Sequence, residues 1–314
     1  MLIFIIGLKV EGKYLIVIAG PTAVGKTDLC VELAQHFGVP VISADSRQFF
    51  KEMNIGTAKP TTAEMQGVTH YFIDSHSIAE PFNAGLYSEE ALRLIDHLFI
   101  EKDLLILTGG SGLYIKAVCE GFDEMPEVEE ETRNKLVSEF NDKGLSPFLE
   151  ELKISDPVYY EQVDKANHQR ILRALEVIRT TGVPFSFYRK NEKTSRNFHI
   201  IKIALERPRE ELYERINRRM DLMLEAGLEA EVKALIQYKN TNALQTVGYK
   251  EVFDFLDGVY DREEMIRLLK RNSRRYAKRQ LTWFKKDKEY HWFNPVQKAE
   301  IINFIKAESE RRKA

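Results

Sequence analysis

Apolar residues along this chain fall into short unbroken runs and longer periodic ones, and the two kinds alternate. Tyr14–Ala19 (YLIVIA) is continuous, rich in β-branched residues and bounded by glycine, which predicts a buried strand. Residues 27–37 instead place Leu29, Leu33 and Phe37 at helical spacing on one face. Residues 39–43 predict a second strand that ends at Asp45, residues 71–73 a brief third, and residues 104–107 a fourth that runs into Gly109 and Gly110. Before that fourth strand, residues 88–99 space Ala91, Leu92, Ile95 and Leu98 for burial along a helix. Strands alternating with helices at this interval predict an α/β fold, a parallel sheet with helices on both faces. Ligands on such sheets gather at the C-terminal strand ends. Asp45, the turn at 108–112 and the loop after the first strand are therefore expected at one crevice.

Beyond Cys119 the pattern changes. Residues 120–131 are crowded with acids and hold no Lys or Arg, and as far as Gly182 the periodicity is helical only. Residues 198–205 (FHIIKIAL) restore a strand, residues 209–226 predict a long helix, and residues 289–293 (EYHWF) a last strand. A helical stretch between two strands of one sheet predicts an inserted helical domain, 122–197, in a core built from 1–121 and 198–314. The apolar run 1–8 is followed closely by Lys9, Glu11 and Lys13, so it is expected to be an extra strand or a leader. No stretch approaches the ~18 apolar residues a membrane helix needs.

The loop after the first strand carries the sharpest chemical signal. Gly20, Pro21, Thr22, Ala23, Val24, Gly25, Lys26 and Thr27 match G-x-x-x-x-G-K-[ST] between a predicted strand and a predicted helix, the context a phosphate loop requires. Backbone N–H groups of such a loop converge on phosphate oxygens at a helix N-terminus. Lys26 would neutralise charge there and Thr27 would ligate Mg²⁺. The core is therefore expected to be P-loop NTPase-like in fold. A nucleoside triphosphatase would usually end a later apolar strand with an acid for its metal, but the fourth strand ends in Thr108, Gly109, Gly110 and Ser111. The strand-end acid is Asp45 instead. The loop thus reads as a holder of diphosphate.

Composition adds two constraints. Net charge is −2, which argues against a surface basic throughout. The two cysteines, Cys30 and Cys119, form neither a CxxC pair nor a disulfide framework, which suits a reducing, cytoplasmic compartment. Positive charge is concentrated locally: residues 267–288 hold ten Lys or Arg against one acid, Asp287. Arg267, Lys270, Arg271, Arg274, Arg275 and Lys278 share one face of a predicted helix, while Leu269, Tyr276 and Trp283 recur every seven residues on another. Like charges on one face repel unless an anion neutralises them, so a nucleic-acid partner is expected here.

Several segments, in order, resemble the tRNA dimethylallyltransferase (isopentenyl-tRNA transferase) family. They are the phosphate loop, Ser43-Ala-Asp45-Ser46-Arg47-Gln48, Asn54-Ile-Gly-Thr-Ala-Lys59-Pro60 and Gly109-Gly-Ser-Gly-Leu-Tyr114. The match continues through Arg170-Ile-Leu-Arg173-Ala-Leu-Glu176-Val, Arg215-Ile-Asn-Arg-Arg219-Met, Val247-Gly-Tyr-Lys-Glu251 and Tyr276-Ala-Lys-Arg-Gln-Leu-Thr-Trp283-Phe284. The resemblance implies transfer of a dimethylallyl group from dimethylallyl diphosphate to adenine 37 of tRNA, beside the anticodon. It implies Asp45 as base for the exocyclic amine, Lys26 and Arg219 as diphosphate cations, and Ser111 beside the reacting amine, where the family usually has Thr. It also implies tRNA contacts from Asp45, Ser46, Arg47, Gln48, Ser111 and Arg133. Further contacts would come from Gln169, Arg170, Ile171, Leu172 and Arg173, from Gln245, Thr246, Val247, Gly248, Tyr249 and Lys250, and from the basic helix through Arg274, Arg275 and Lys278. One departure is local: the family's Asn-Asp before Arg170 is replaced by Ala166-Asn167-His168-Gln169. A monomer is the expected state. The rival readings are a small-molecule or nucleoside kinase, which would want an arginine-rich lid, and a non-catalytic RNA-binding protein, which would not need Lys26, Thr27 and Asp45 together.

Overall fold

The structure, a computed structural model, describes residues 12–190 and 192–312. The apolar run 1–8 lies outside them. Chain order begins β1 (Tyr14–Ala19), α1 (Lys26–Phe37), β2 (Val41–Ser43), α2 (Thr62–Met65), β3 (His70–Tyr71), α3 (Ala84–Leu98), β4 (Leu104–Gly109) and α4 (Gly112–Glu120). Five helices follow: α5 (Glu130–Lys143), α6 (Ser146–Ser155), α7 (Pro157–Gln162), α8 (His168–Thr181) and α9 (Phe185–Tyr188). The chain then adds β5 (His199–Leu205), α10 (Arg209–Glu225), α11 (Leu228–Ala234), α12 (Tyr249–Leu256), α13 (Arg262–Lys285), β6 (His291–Phe293) and α14 (Lys298–Arg311).

The six strands form one sheet in the order β3-β2-β4-β1-β5-β6, with every pairing parallel. β1 is central, pairing Tyr14 with Leu104 on one side and with His199 on the other. Its unbroken apolar run is explained by burial on both faces. Leu15, Val17 and Ala19 enter one core, Tyr14, Ile16 and Ile18 the other. From β1 the chain leaves toward β2 and β4 on one side and returns as β5 on the other, so a crevice opens at the C-terminal end of β1. Gly109 is required where β4 ends: a Cβ there would come within 2.4 Å of the Ala44 carbonyl oxygen. That close approach carries the residues after β2 alongside the turn after β4.

Two boundaries differ from the periodic reading for capping reasons. α3 begins at Ala84, four residues before the expected start, because the Asn83 side chain accepts from the Gly85 and Leu86 N–H groups. β2 begins at Val41, because Gly38 ends α1 in the left-handed conformation.

The described residues divide into two compact units, with breaks after Cys119 and after Thr194. The smaller unit, residues 120–194, packs its own core from Leu136, Phe148, Leu152, Tyr159, Ile171, Leu175 and Phe185. Asp156, 1% exposed, organises it by accepting from the Tyr159 and Ser186 N–H groups. Arg179 holds α5 and α6 to α8 through Glu139 and Glu151.

Candidate active site

The loop from β1 to α1 turns on Gly25, which caps α1 at φ 107°, a conformation that glycine adopts without strain. Ala23 also has positive φ, 64°. Its carbonyl is gripped by Arg215, whose Nε donates to it at 2.8 Å, and the next carbonyl, Val24, accepts from Arg207 Nε at 2.7 Å. Lys26 Nζ donates to the Gly20 and Pro21 carbonyls at 3.0 and 2.8 Å. Side-chain cations thus tie down the loop's oxygens, while the first N–H groups of α1 have no intrahelical acceptor and suit an anion.

Ala23, Gly25, Lys26 and Arg215 line a cavity of about 420 Å³ together with Asp45, Ser46, Arg47, Arg219, Tyr276 and Gln280. Burial pushes the Lys26 ammonium down to about 8, against a smaller upward pull from Asp45 and a smaller downward push from Arg219. Burial and then the Arg215 charge lower the Arg219 pKa, and Arg219 Nη1 lies 3.4 Å from Thr22 Oγ1. Two arginines one helical turn apart on α10 therefore face the phosphate loop, and cations crowded this way favour a multiply charged anion between them.

Asp45 sits just past β2, where its Oδ1 accepts from the Arg47 and Gln48 N–H groups at 2.9 and 3.4 Å. That turn fixes the carboxylate in the cavity that the cations also line. Ser111 lies beside it: its Oγ accepts from the Ser46 N–H at 2.9 Å and donates to Ser46 Oγ at 3.0 Å, joining the turns after β2 and β4. Arg47 donates to the Ser46 and Asn242 carbonyls, and its buried Nε finds no acceptor among the described residues. Burial, with Asp45 nearby, pushes the Tyr276 phenol up to about 12.

A hard divalent cation fits this donor set. The Thr27 hydroxyl lines the cavity next to the phosphate loop, and one protein oxygen suffices for an ion that keeps several waters and takes the rest from a diphosphate.

The other expected residues separate into those that reach solvent and those held inside. Ile171 and Leu172 are 0% and 9% exposed in the smaller unit's core, so the side chains of that turn of α8 that reach solvent are Gln169, Arg170 and Arg173. Arg173 and Arg133 both pair with Glu176, at 2.9 and 3.5 Å. Gln48 donates its amide to the Thr57 and Ala58 carbonyls, which occupies the group expected at a base edge. Tyr249 is wholly buried, donating to Glu231 Oε1 at 2.6 Å, and Glu231 also accepts from the N–H groups of Asn54, Ile55 and Gly56. Thr246, Val247 and Gly248 line the cavity. Gln245 donates to the Lys239 carbonyl.

The single cationic face expected on residues 267–278 is divided. Lys270 bonds Asp221 at 2.6 Å, and Arg274 donates to Asn217 Oδ1 at 2.6 Å, both across to α10. Arg275, Lys278 and Arg279 remain exposed. The physical reason is that α13 packs on α10 along the edge of that face. Sequence reasoning also passed over Arg207, Arg215 and Gln280 as parts of the site. Arg215 had a visible signal, since it stands four residues before Arg219 on a predicted helix. Gln280 falls in a segment that resembles the family, but neither its role nor that of Arg207 can be read locally, because their partners are 258 and 183 residues away.

Known proteins resemble this chain over most of its length. Residues 48–287 match the family model described as IPP transferase. The chain is 57% identical to the tRNA dimethylallyltransferase of Cytophaga hutchinsonii over 295 residues, 94% of this chain and 97% of that one. Among solved structures it resembles the full-length tRNA isopentenylpyrophosphate transferase of Bacillus halodurans, with a TM-score of 0.72, 39% identity, and coverage of 96% of this chain and 98% of that one. It also resembles a eukaryotic dimethylallyltransferase captured acting on tRNA, with a TM-score of 0.69, 27% identity, and coverage of 86% of this chain and 69% of that one.

Proposed function

This chain belongs to the tRNA dimethylallyltransferase family, and from that premise we propose that it transfers the dimethylallyl group of dimethylallyl diphosphate to the exocyclic amine of adenine 37 in tRNA. One observation carries the reading. A single cavity sets a phosphate loop, Lys26 and Arg219 against a fixed strand-end carboxylate, Asp45, while the strand that would supply a triphosphatase's metal acid ends in Thr108, Gly109 and Gly110. Such a cavity can hold a departing diphosphate and take a proton from a nucleophile.

The nucleophile needs that help. The amine lone pair of adenine is delocalised into the ring, and the nitrogen must shed a proton as it bonds to the allylic carbon. Asp45 accepts that proton. The carbon–oxygen bond breaks with both electrons going to diphosphate, and that growing charge is met by the α1 N–H groups, Lys26 and Arg219. Bonds from Lys26, Arg207 and Arg215 to loop carbonyls set the loop beforehand, so little reorganisation is needed during reaction. Thr27 would hold the cation, proposed to be Mg²⁺, which when bound adds positive charge at the diphosphate. Adenine must leave its stack to enter the cavity. Ser46 and Arg47 line the cavity that the base would enter, Ser111 is bonded to Ser46 beside the place proposed for the amine, and the exposed cations of α13 suit the RNA backbone.

The test is direct. The protein, Mg²⁺, labelled dimethylallyl diphosphate and unmodified tRNA with adenine after the anticodon are incubated together, and label is expected in the tRNA with equimolar diphosphate released. Release of diphosphate without labelled tRNA, or phosphoryl transfer from a nucleotide in its place, overturns the proposal.

A further inference from the structure

The residue that ties the basic helix to the chemistry is not a cation. Gln280 lies on α13, 7% exposed, and its side-chain amide bridges two loops. Oε1 accepts from the Thr22 N–H at 2.9 Å, inside the phosphate loop. Nε2 donates to the Gly110 carbonyl at 2.9 Å, in the turn that carries Ser111. The fit is close: a Cβ on Gly110 would fall 2.3 Å from Nε2. The bridge needs an acceptor and a donor on one short side chain, which is what an uncharged amide supplies.

Gln280 does not act on that strip by itself. One turn earlier Tyr276 lines the cavity, and one turn later the Trp283 ring stands 2.2 Å from where a Gly112 Cβ would be. Residues 276, 280 and 283 share a face at i, i+4 and i+7. On the rest of the same helix Arg275, Lys278 and Arg279 are exposed. A 24-residue helix therefore presents cations on one side and grips the phosphate loop and the Ser111 turn with the other. Thr22 is itself within reach of Arg219, so the peptide Gln280 holds is next to a diphosphate cation.

We infer that Gln280 is a positioning residue that couples RNA engagement on α13 to the diphosphate cradle, so that each ligand binds more tightly when the other is present. The inference rests on the reading proposed above. An RNA that settles α13 fixes the Thr22 amide and the Gly110 turn through two hydrogen bonds. A diphosphate that orders the loop stiffens α13 in return, since coupling free energy is reciprocal.

The readout is the ratio of the pyrophosphate Kd, with Mg²⁺, without and with saturating unmodified tRNA. For the unaltered protein the ratio is expected to be about 5 or more, with the same ratio when tRNA binding is measured without and with pyrophosphate. Gln280→Met, of similar length but without the bonds, and Gln280→Ala should both bring it to within about 2-fold of unity. A uniformly looser pocket changes both Kd values and leaves the ratio standing, which separates positioning from simple structural damage. Thr282→Ala, which removes only a bond back to the Lys278 carbonyl of the same helix, should keep the ratio. A ratio near unity in the unaltered protein, a ratio retained in either Gln280 variant, or its loss in Thr282→Ala overturns the inference. The label-transfer assay reports separately, so an enzyme that prenylates tRNA without coupling loses this inference alone.

Discussion

Asp45 and Lys26 line one cavity, and their removal should have different signatures. Asp45→Ala is expected to keep tRNA affinity and lower turnover by about 10²–10⁴-fold, the usual contribution of a general base. Unaltered turnover in single-turnover kinetics would remove it from that role. Lys26 makes a pH prediction. Its pKa in the folded protein, about 8, lies below the ordinary 10.5, so ligand-free Lys26 loses its charge as pH rises past about 8. A bound anion restores the charge. Pyrophosphate affinity should therefore fall between about pH 8 and pH 10, binding should take up a proton there, and Lys26→Met should flatten both effects in calorimetry across buffers. By the same linkage the charged lysine costs the ligand-free fold stability below about 8, and that cost is relieved as pH rises toward 10.5. Gly56 is a third residue with a fixed requirement. A Cβ there would meet the Tyr249 ring at 2.5 Å, and the ring is held by its bond to Glu231. Gly56→Ala should cost about 1–3 kcal/mol, read as a lowered Tm. The phosphate loop and Asp45 could be read from sequence because strand-end chemistry is local. Arg207 and Gln280 could not, because a hydrogen bond spanning most of the chain leaves no local pattern.

Among the elements, α13 shows how a charge run divides once it is packed. Ten cations in residues 267–288 predict a nucleic-acid surface, but a helix has several faces and each neighbour claims one. α10 takes Lys270 and Arg274. The loops after β1 and β4 take Gln280, and Arg275, Lys278 and Arg279 are left outward in the middle of the helix, while Arg267 and Lys285 are exposed nearer its ends, where they pair with Glu264 and Glu206. Neutralising Arg275 and Lys278 should each reduce the salt slope of tRNA affinity by about 0.7–0.9, while Arg274→Ala should act mainly by lowering Tm. An unchanged slope in the double variant would make those two cations a solvated face. The same logic explains α8, whose Ile171 and Leu172 lie in a segment similar to an RNA-binding motif yet have their side chains in the core.

Across the whole molecule, two cores lie on the two faces of the sheet and a third lies within residues 120–194. A core that closes within its own unit should open on its own. Phe148→Ala, at 1% exposure, is expected to speed amide exchange through residues 120–194 and leave β1, β4 and β5 near their original rates. Equal acceleration in both would mean one cooperative unit. By itself the sequence determined the alternation of strands and helices, the phosphate loop, the acid after the second strand and the family, since each of these is a pattern within a few neighbouring residues. Only the tertiary structure decided which arginines grip the loop, which cations of α13 stay free, and which glutamine joins the loops, because those outcomes depend on what distant segments bring alongside once the sheet has formed.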